Sequence, residues 1–173
     1  MTILSKEGSL IQEEPSQKDL STANSSLSCI PMNETQQRRI IKRIWRSIME
    51  GNLNKLKSLQ DQLLYHGQEL SNARINKFGW TPLHAACYFG RLSIVIYLIE
   101  QDHADPNEVN PNGWHSLIFA VMGGHGSEIV EYLLKKTITD PLLTDEKGNN
   151  ALAYAKSINP GGQVEQILQN QLI

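Results

Sequence analysis

Between Thr81 and Ile99 the apolar positions fall at the spacing of two short helices separated by a tight break. Leu83, Ala86 and Cys87 share one face of the first, which opens at Thr81-Pro82. Threonine there caps free backbone N–H groups, and proline at the first helical position loses no hydrogen bond. Gly90 stops this helix. Leu92, Val95, Leu98 and Ile99 supply the apolar stripe of the second, and the polar stretch Asp102 to Asn112 leads onward. The same pattern then returns. Gly79-Trp80 recurs as Gly113-Trp114 at an offset of 34 and as Gly148-Asn149 after a further 35. Leu83 recurs as Leu117 and Leu152. Ile94-Val95 with Leu98-Ile99 recurs as Ile129-Val130 with Leu133-Leu134, then as Gln163-Val164 with Ile167-Leu168. This period belongs to stacked helix pairs, in which each hairpin is too thin to cover its own apolar faces and its neighbours supply the core.

The segments before these copies differ. Aligning Gly51 with Gly90 places Trp45 to Met49 on a first helix and Leu53, Leu56 and Leu59 on a second, with about five surplus residues between Asp61 and Asn76. Residues 36–75 are thus expected to form a degenerate capping unit, followed by repeats at 76–109 and 110–144 and a C-terminal capping repeat at 145–173. Residues 1–35 are rich in Ser, Gln, Glu and Asn, with no sustained apolar period. They are expected to be a disordered polar tail.

Gly79-Trp80-Thr81-Pro82-Leu83-His84-Ala85-Ala86, followed by Gly90 and Leu98-Ile99, resembles the ankyrin repeat. The resemblance covers roughly Ile40 to the C-terminus. The second copy departs from the pattern with His115-Ser116-Leu117-Ile118 and an extra residue in Gly123-Gly124-His125-Gly126. The third departs with Asn150-Ala151-Leu152-Ala153 and ends its first helix at Asn159-Pro160-Gly161-Gly162. The resemblance implies an all-α solenoid of helix-turn-helix repeats with short β-turn fingers. It implies a non-catalytic module that binds a partner protein through a concave groove. His84 would then be structural, hydrogen-bonding between neighbouring turns, and Asn107 stands where ankyrin loops can be hydroxylated.

Charge and composition narrow the classes. The chain has 173 residues, with 16 Lys and Arg against 18 Asp and Glu, a balance that speaks against a nucleic-acid coat. Cys29 and Cys87 cannot build a disulfide framework, so a reducing, intracellular compartment, cytoplasmic or nuclear, is expected. The longest apolar run, Ile94 to Ile99, is far too short to span a membrane. A monomer without cofactor or specific nucleic-acid partner is expected.

Three sets of residues invite chemistry. His84 and Cys87 lie one turn apart, but two ligands make no closed metal site. Ser116 beside His115 lacks a third partner, and sequence neighbours on a helix point apart; no residue is singled out as catalytic. Between Gln36 and Lys57 stand seven Lys and Arg against Glu50 alone. Of these, Arg38, Arg39, Lys42, Arg43 and Arg46 either form a phosphate, lipid or import patch or are the solvated back of a helix whose stripe is Ile41, Ile44, Trp45 and Ile48. The third set is aromatic. By the resemblance, Phe78, Trp80, Tyr88, Phe89, Trp114 and Met122 point to the concave side, with Lys77, Asn112 and Lys147 on the rim. Tryptophan and tyrosine are enriched in binding hot spots, although Phe89 is also suited to packing between turns. Two other functions stay open: an inhibitor resembling the ankyrin inhibitors of NF-kappa-B, and a nuclear or membrane-surface adaptor using the basic first helix. Asp19-Leu20-Ser21 lacks the Asp-Ser-Gly signal of the former.

Overall fold

A computed structural model of the chain describes residues 32–125 and 127–171. Most of the segment read as a polar tail, residues 1–31, lies outside the described residues. The first helix, α1, spans Glu34–Glu50 and begins inside the remainder of that segment. The reason is local: Asn33 Oδ1 accepts from the Gln36 N–H at 2.9 Å while Gln36 Oε1 accepts from the Asn33 N–H at 2.9 Å. This reciprocal cap satisfies two of the donors that a helix start leaves free.

Among the described residues seven further helices follow: α2 (Leu53–Tyr65), α3 (Pro82–Tyr88), α4 (Leu92–Glu100), α5 (Ser116–Gly123), α6 (Ser127–Lys136), α7 (Ala151–Ile158) and α8 (Gln163–Gln171). They form four consecutive pairs. The first members pack in a row α1–α3–α5–α7, and α4, α6 and α8 pack in a second row behind. Gly51 and Gly90, matched by the sequence alignment, adopt the same left-handed turn with φ of +71° and +70°. Most of the surplus in the first unit lengthens its second helix, since α2 has 13 residues where α4 has 9.

Burial differs between the rows. Pro82 through Cys87 in α3 and Ser116 through Val121 in α5 are all buried, because each helix has a neighbour on either side and a covering helix behind. The one-faced stripe expected for the first helix of a repeat therefore closes into a core around most of its circumference. In α4 the fully buried residues are Ile94, Val95 and Leu98, whereas Leu92 and Ile99 are half-buried. In α1 the core takes Ile40, Ile44, Ser47 and Ile48, with Ile41 and Trp45 at its edge, so the stripe sits about one position from the expected one.

Two glycines report how tightly the units stack. A Cβ at Gly123 would lie 2.1 Å from the carbonyl oxygen of Tyr88, so α5 touches α3 backbone to backbone. Gly113 has φ of +77°, and its Cβ would stand 2.9 Å from the Asp145 Cα on the next finger. Glycine answers both requirements there: a left-handed turn and a neighbouring backbone in contact.

Candidate functional site

The three turns that separate the pairs are built alike. The Asn76 side-chain oxygen accepts from the N–H groups of Phe78 and Trp80 at 2.9 and 3.1 Å. Asn110 holds Asn112 and Trp114 at 3.1 and 2.9 Å, and Asp145 holds Lys147 and Asn149 at 2.9 and 2.8 Å. An Asn or Asp side chain that bonds the backbone two residues on mimics a peptide turn. Here it fixes a finger whose tip presents Lys77-Phe78, Asn112 or Lys147. Sequence reading overlooked these residues, although Asn or Asp three places before the turn glycine recurs in all three copies.

Successive fingers are joined as well. The Glu146 N–H donates to the Asn112 carbonyl at 3.3 Å. The Asn107 side chain clamps the next repeat from both ends: its amide donates to the Ile138 carbonyl at 2.9 Å and its oxygen accepts from the Asp140 N–H at 2.8 Å. His84 performs the structural role implied by the resemblance. Its Nδ1 accepts from the Thr81 N–H at 3.1 Å, which places the proton on Nε2, and Nε2 donates to the Glu108 carbonyl at 2.9 Å. Burial lowers its pKa to about 4, opposed by the bond to Glu108 and assisted by the nearby Arg74 and His115. The ring is therefore neutral at physiological pH.

His115 occupies the register of Thr81 at the start of α5, but its side chain accepts no capping bond. It is buried, and neither ring nitrogen completes a hydrogen bond of ordinary length. Burial lowers its pKa against weaker raising contributions from Leu143 and Asp140. Ser116 Oγ donates to the Pro106 carbonyl at 2.5 Å instead of facing His115. Cys87 is buried, and burial alone pushes its thiol pKa far up, which makes it a core residue and a poor nucleophile. Among the described residues no group of three His, Cys, Asp or Glu is placed to hold a metal ion.

The aromatic residues form one connected run. Trp45 lies 5.4 Å from Phe89 and 5.8 Å from Trp80, ring centre to ring centre. Trp80 meets Tyr88 at 5.2 Å and Phe119 at 4.6 Å, and Phe119 passes the contact to Trp114 at 5.8 Å. Trp114 in turn meets Tyr154 at 6.1 Å. Such tilted pairs add to burial because a ring's positive edge faces another's negative face. Trp80, Tyr88, Trp114 and Met122 are half-buried and packed against the stacking core, and Phe89 packs against Trp45 of the neighbouring pair. Each interior helix is flanked by two others, so a large ring at its edge finds a neighbour before it finds solvent. Phe78, Lys77, Asn112 and Lys147 do stand out, with Phe78 55% exposed and the Lys77 Nζ 5.0 Å above its ring. Trp45, the buried Phe119, Tyr154 and the buried Asp145 take part in the same run of contacts without having been singled out as site residues in the sequence.

Asp145 closes the run at the last repeat. Beyond its two backbone bonds, Oδ2 accepts from the Tyr154 hydroxyl at 2.6 Å and from the Trp114 indole N–H at 3.3 Å. Desolvation alone would raise its pKa. The bonds from Tyr154, from the Asn149 and Lys147 amides and from Trp114 outweigh that and hold it down at about 2.

The five basic residues of α1 are all exposed and share one side of the helix. Arg38 pairs with Glu34 at 2.5 Å. Arg39 and Arg43 line a cleft between α1 and α2 that also holds Asp61. Lys42 and Arg46 line a different cleft, against the first finger. Among the described residues no helix is long and apolar enough to cross a membrane.

Known proteins are similar to this chain in sequence. The family model described as ankyrin repeats (3 copies) matches residues 44–145. An ankyrin repeat-containing protein of Schizosaccharomyces pombe is 30% identical over 76 residues, which cover 43% of this chain and 32% of that protein. The palmitoyltransferase AKR1 of Debaryomyces hansenii is 34% identical over 108 residues, covering 61% of this chain and 12% of the relative. The Notch-regulated ankyrin repeat-containing protein of Homo sapiens is 34% identical over 95 residues, covering 52% of this chain and 75% of the relative. The chain thus spans a third or less of the first two relatives and most of the third. With its helix pairs stacked in register, its turns braced alike and its central residues matched by that family model, the chain belongs to the ankyrin repeat family.

Proposed function

We propose that this chain is a non-catalytic protein-interaction module that docks a partner on the face shared by the finger turns and the row of first helices. The observation that supports this reading is the connected aromatic run, in which half-buried rings of all four helix pairs are linked through the buried Phe119, together with the exposed Phe78 on the first finger. The half-buried rings are held in place by their neighbours, so a partner that covers them gains apolar burial with little side-chain entropy to lose. Phe78 adds a free anchor, and covering it contributes about 1–2 kcal/mol. Lys77, Asn112 and Lys147 form the polar rim, while Trp80, Tyr88, Phe89, Trp114 and Met122 form the floor.

Truncating Trp80 or Trp114 would disturb packing as well as docking, because Trp80 rests on the buried Phe119 and Trp114 donates to Asp145. The sharper test uses exposed residues. The double change Phe78→Ser with Lys77→Glu is expected to leave helical content and melting temperature unaltered. It should remove partners captured by the full chain. A control change at Lys136, exposed at the end of α6, is expected to spare them. Capture that is indifferent to the finger change would refute docking on this face.

A further inference from the structure

The cleft between α1 and the first finger narrows the chemistry of the partner, an inference that rests on the docking role proposed above. It has a volume of about 490 Å³ and is lined by Lys42, Trp45, Arg46, Met49, Ile75 and Asn76. Its apolar wall combines buried Ile75, half-buried Trp45 and Met49, which is 42% exposed. Lys42 and Arg46 stand one helical turn apart at its edge, both exposed, and among the described residues neither enters an ion pair. No Asp or Glu lines it. The cleft adjoins the aromatic run, since Trp45 is 5.8 Å from Trp80, and exposed Lys77 follows Asn76 on the same finger.

We propose that this cleft receives an acidic peptide segment carrying an aromatic or aliphatic side chain. That side chain rests on Trp45 and Met49, and flanking carboxylates meet Lys42, Arg46 and Lys77. Arginine suits this task because its planar fork binds a carboxylate at two points, while lysine supplies mobile point charges. A peptide fits better than an anionic membrane. A lipid surface calls for coplanar cations around an outward apolar residue. Here the apolar residues beside the cations do not point outward: Trp45 is half-buried against Phe89 at 5.4 Å, and Ile75 is buried.

The test uses the full chain and a fluorescent random copolymer of glutamate and tyrosine, followed by polarisation at low and physiological salt. Polyglutamate, a lysine–tyrosine copolymer and phosphatidylserine vesicles are run beside it. The glutamate–tyrosine copolymer should bind more tightly than polyglutamate and the lysine–tyrosine copolymer not at all. Binding should fall about tenfold or more in Lys42→Glu/Arg46→Glu, as reversing charges that face a ligand does. Met49→Ser, which removes apolar wall without touching charge, should weaken the copolymer but not polyglutamate. Lys136→Glu should change neither. Equal binding of polyglutamate, equal sensitivity to Lys136→Glu, or vesicle binding lost with the same double change would each overturn the proposal. The two readings separate cleanly. If the cleft variants leave copolymer binding intact while the Phe78 and Lys77 change abolishes partner capture, the acidic-peptide inference fails and the docking face stands. Circular dichroism of each variant guards against loss of fold.

Discussion

Replacing Asp145 by alanine removes one carboxylate that holds four donors from two repeats: the amides of Lys147 and Asn149, the Trp114 indole and the Tyr154 hydroxyl. The two amides lie at a finger whose tip is exposed, so water can replace much of their loss. The half-buried Tyr154 hydroxyl, bonded at 2.6 Å, loses a charged acceptor worth about 1.5–3 kcal/mol, and the longer indole bond at 3.3 Å adds little. A total near 2–3 kcal/mol is expected. In a domain of this size that corresponds to a melting temperature lower by roughly 10 °C. Asp145→Asn keeps one acceptor oxygen and should lose about half as much. The effect must also depend on pH in a defined direction. The folded carboxyl sits at about 2, below its ordinary value of 3.8. Its contribution is therefore fully present above pH 3.8 and disappears as pH falls toward 2. Thermal melts of wild type and both variants from pH 7 to pH 2, with hydrogen exchange on α7 and α8, measure this. A gap between wild type and alanine variant that is as wide at pH 2 as at pH 7 would refute the reasoning. So would a gap below half a kcal/mol, taken roughly as the scatter of ordinary surface changes.

Two other outcomes follow from the same packing. His84 titrates at about 4 when folded against 6.5 ordinarily, so its contribution is intact above pH 6.5 and lost as pH falls from there toward 4. Melting temperature should decline across that window, and His84→Gln should flatten the decline; a slope unchanged in the variant would contradict the assignment. Gly123→Ala should destabilise by about 2 kcal/mol or more, because its new methyl meets the Tyr88 carbonyl and α3 and α5 must part. Gly124→Ala, where nothing stands within 4 Å but φ is +66°, should cost only about 1 kcal/mol in denaturant titration.

The sequence alone determined the architecture, because a repeat writes its signals locally. The cap at Thr81, the stop at Gly90 and the recurrence of Leu83 as Leu117 and Leu152 each need only neighbours a few residues away, and a fixed period aligns them. Gly51 adopts the same left-handed turn as Gly90, with which the sequence aligned it. The exposure of the candidate site was not legible in the sequence. Whether a ring at the edge of a helix faces water or another ring depends on what the next helix places opposite it. Trp80 against Phe119 and Phe89 against Trp45 are contacts between different repeats. Spacing along a chain sets which side of an element a residue occupies; only the assembled neighbours decide how much of that side remains open to a partner.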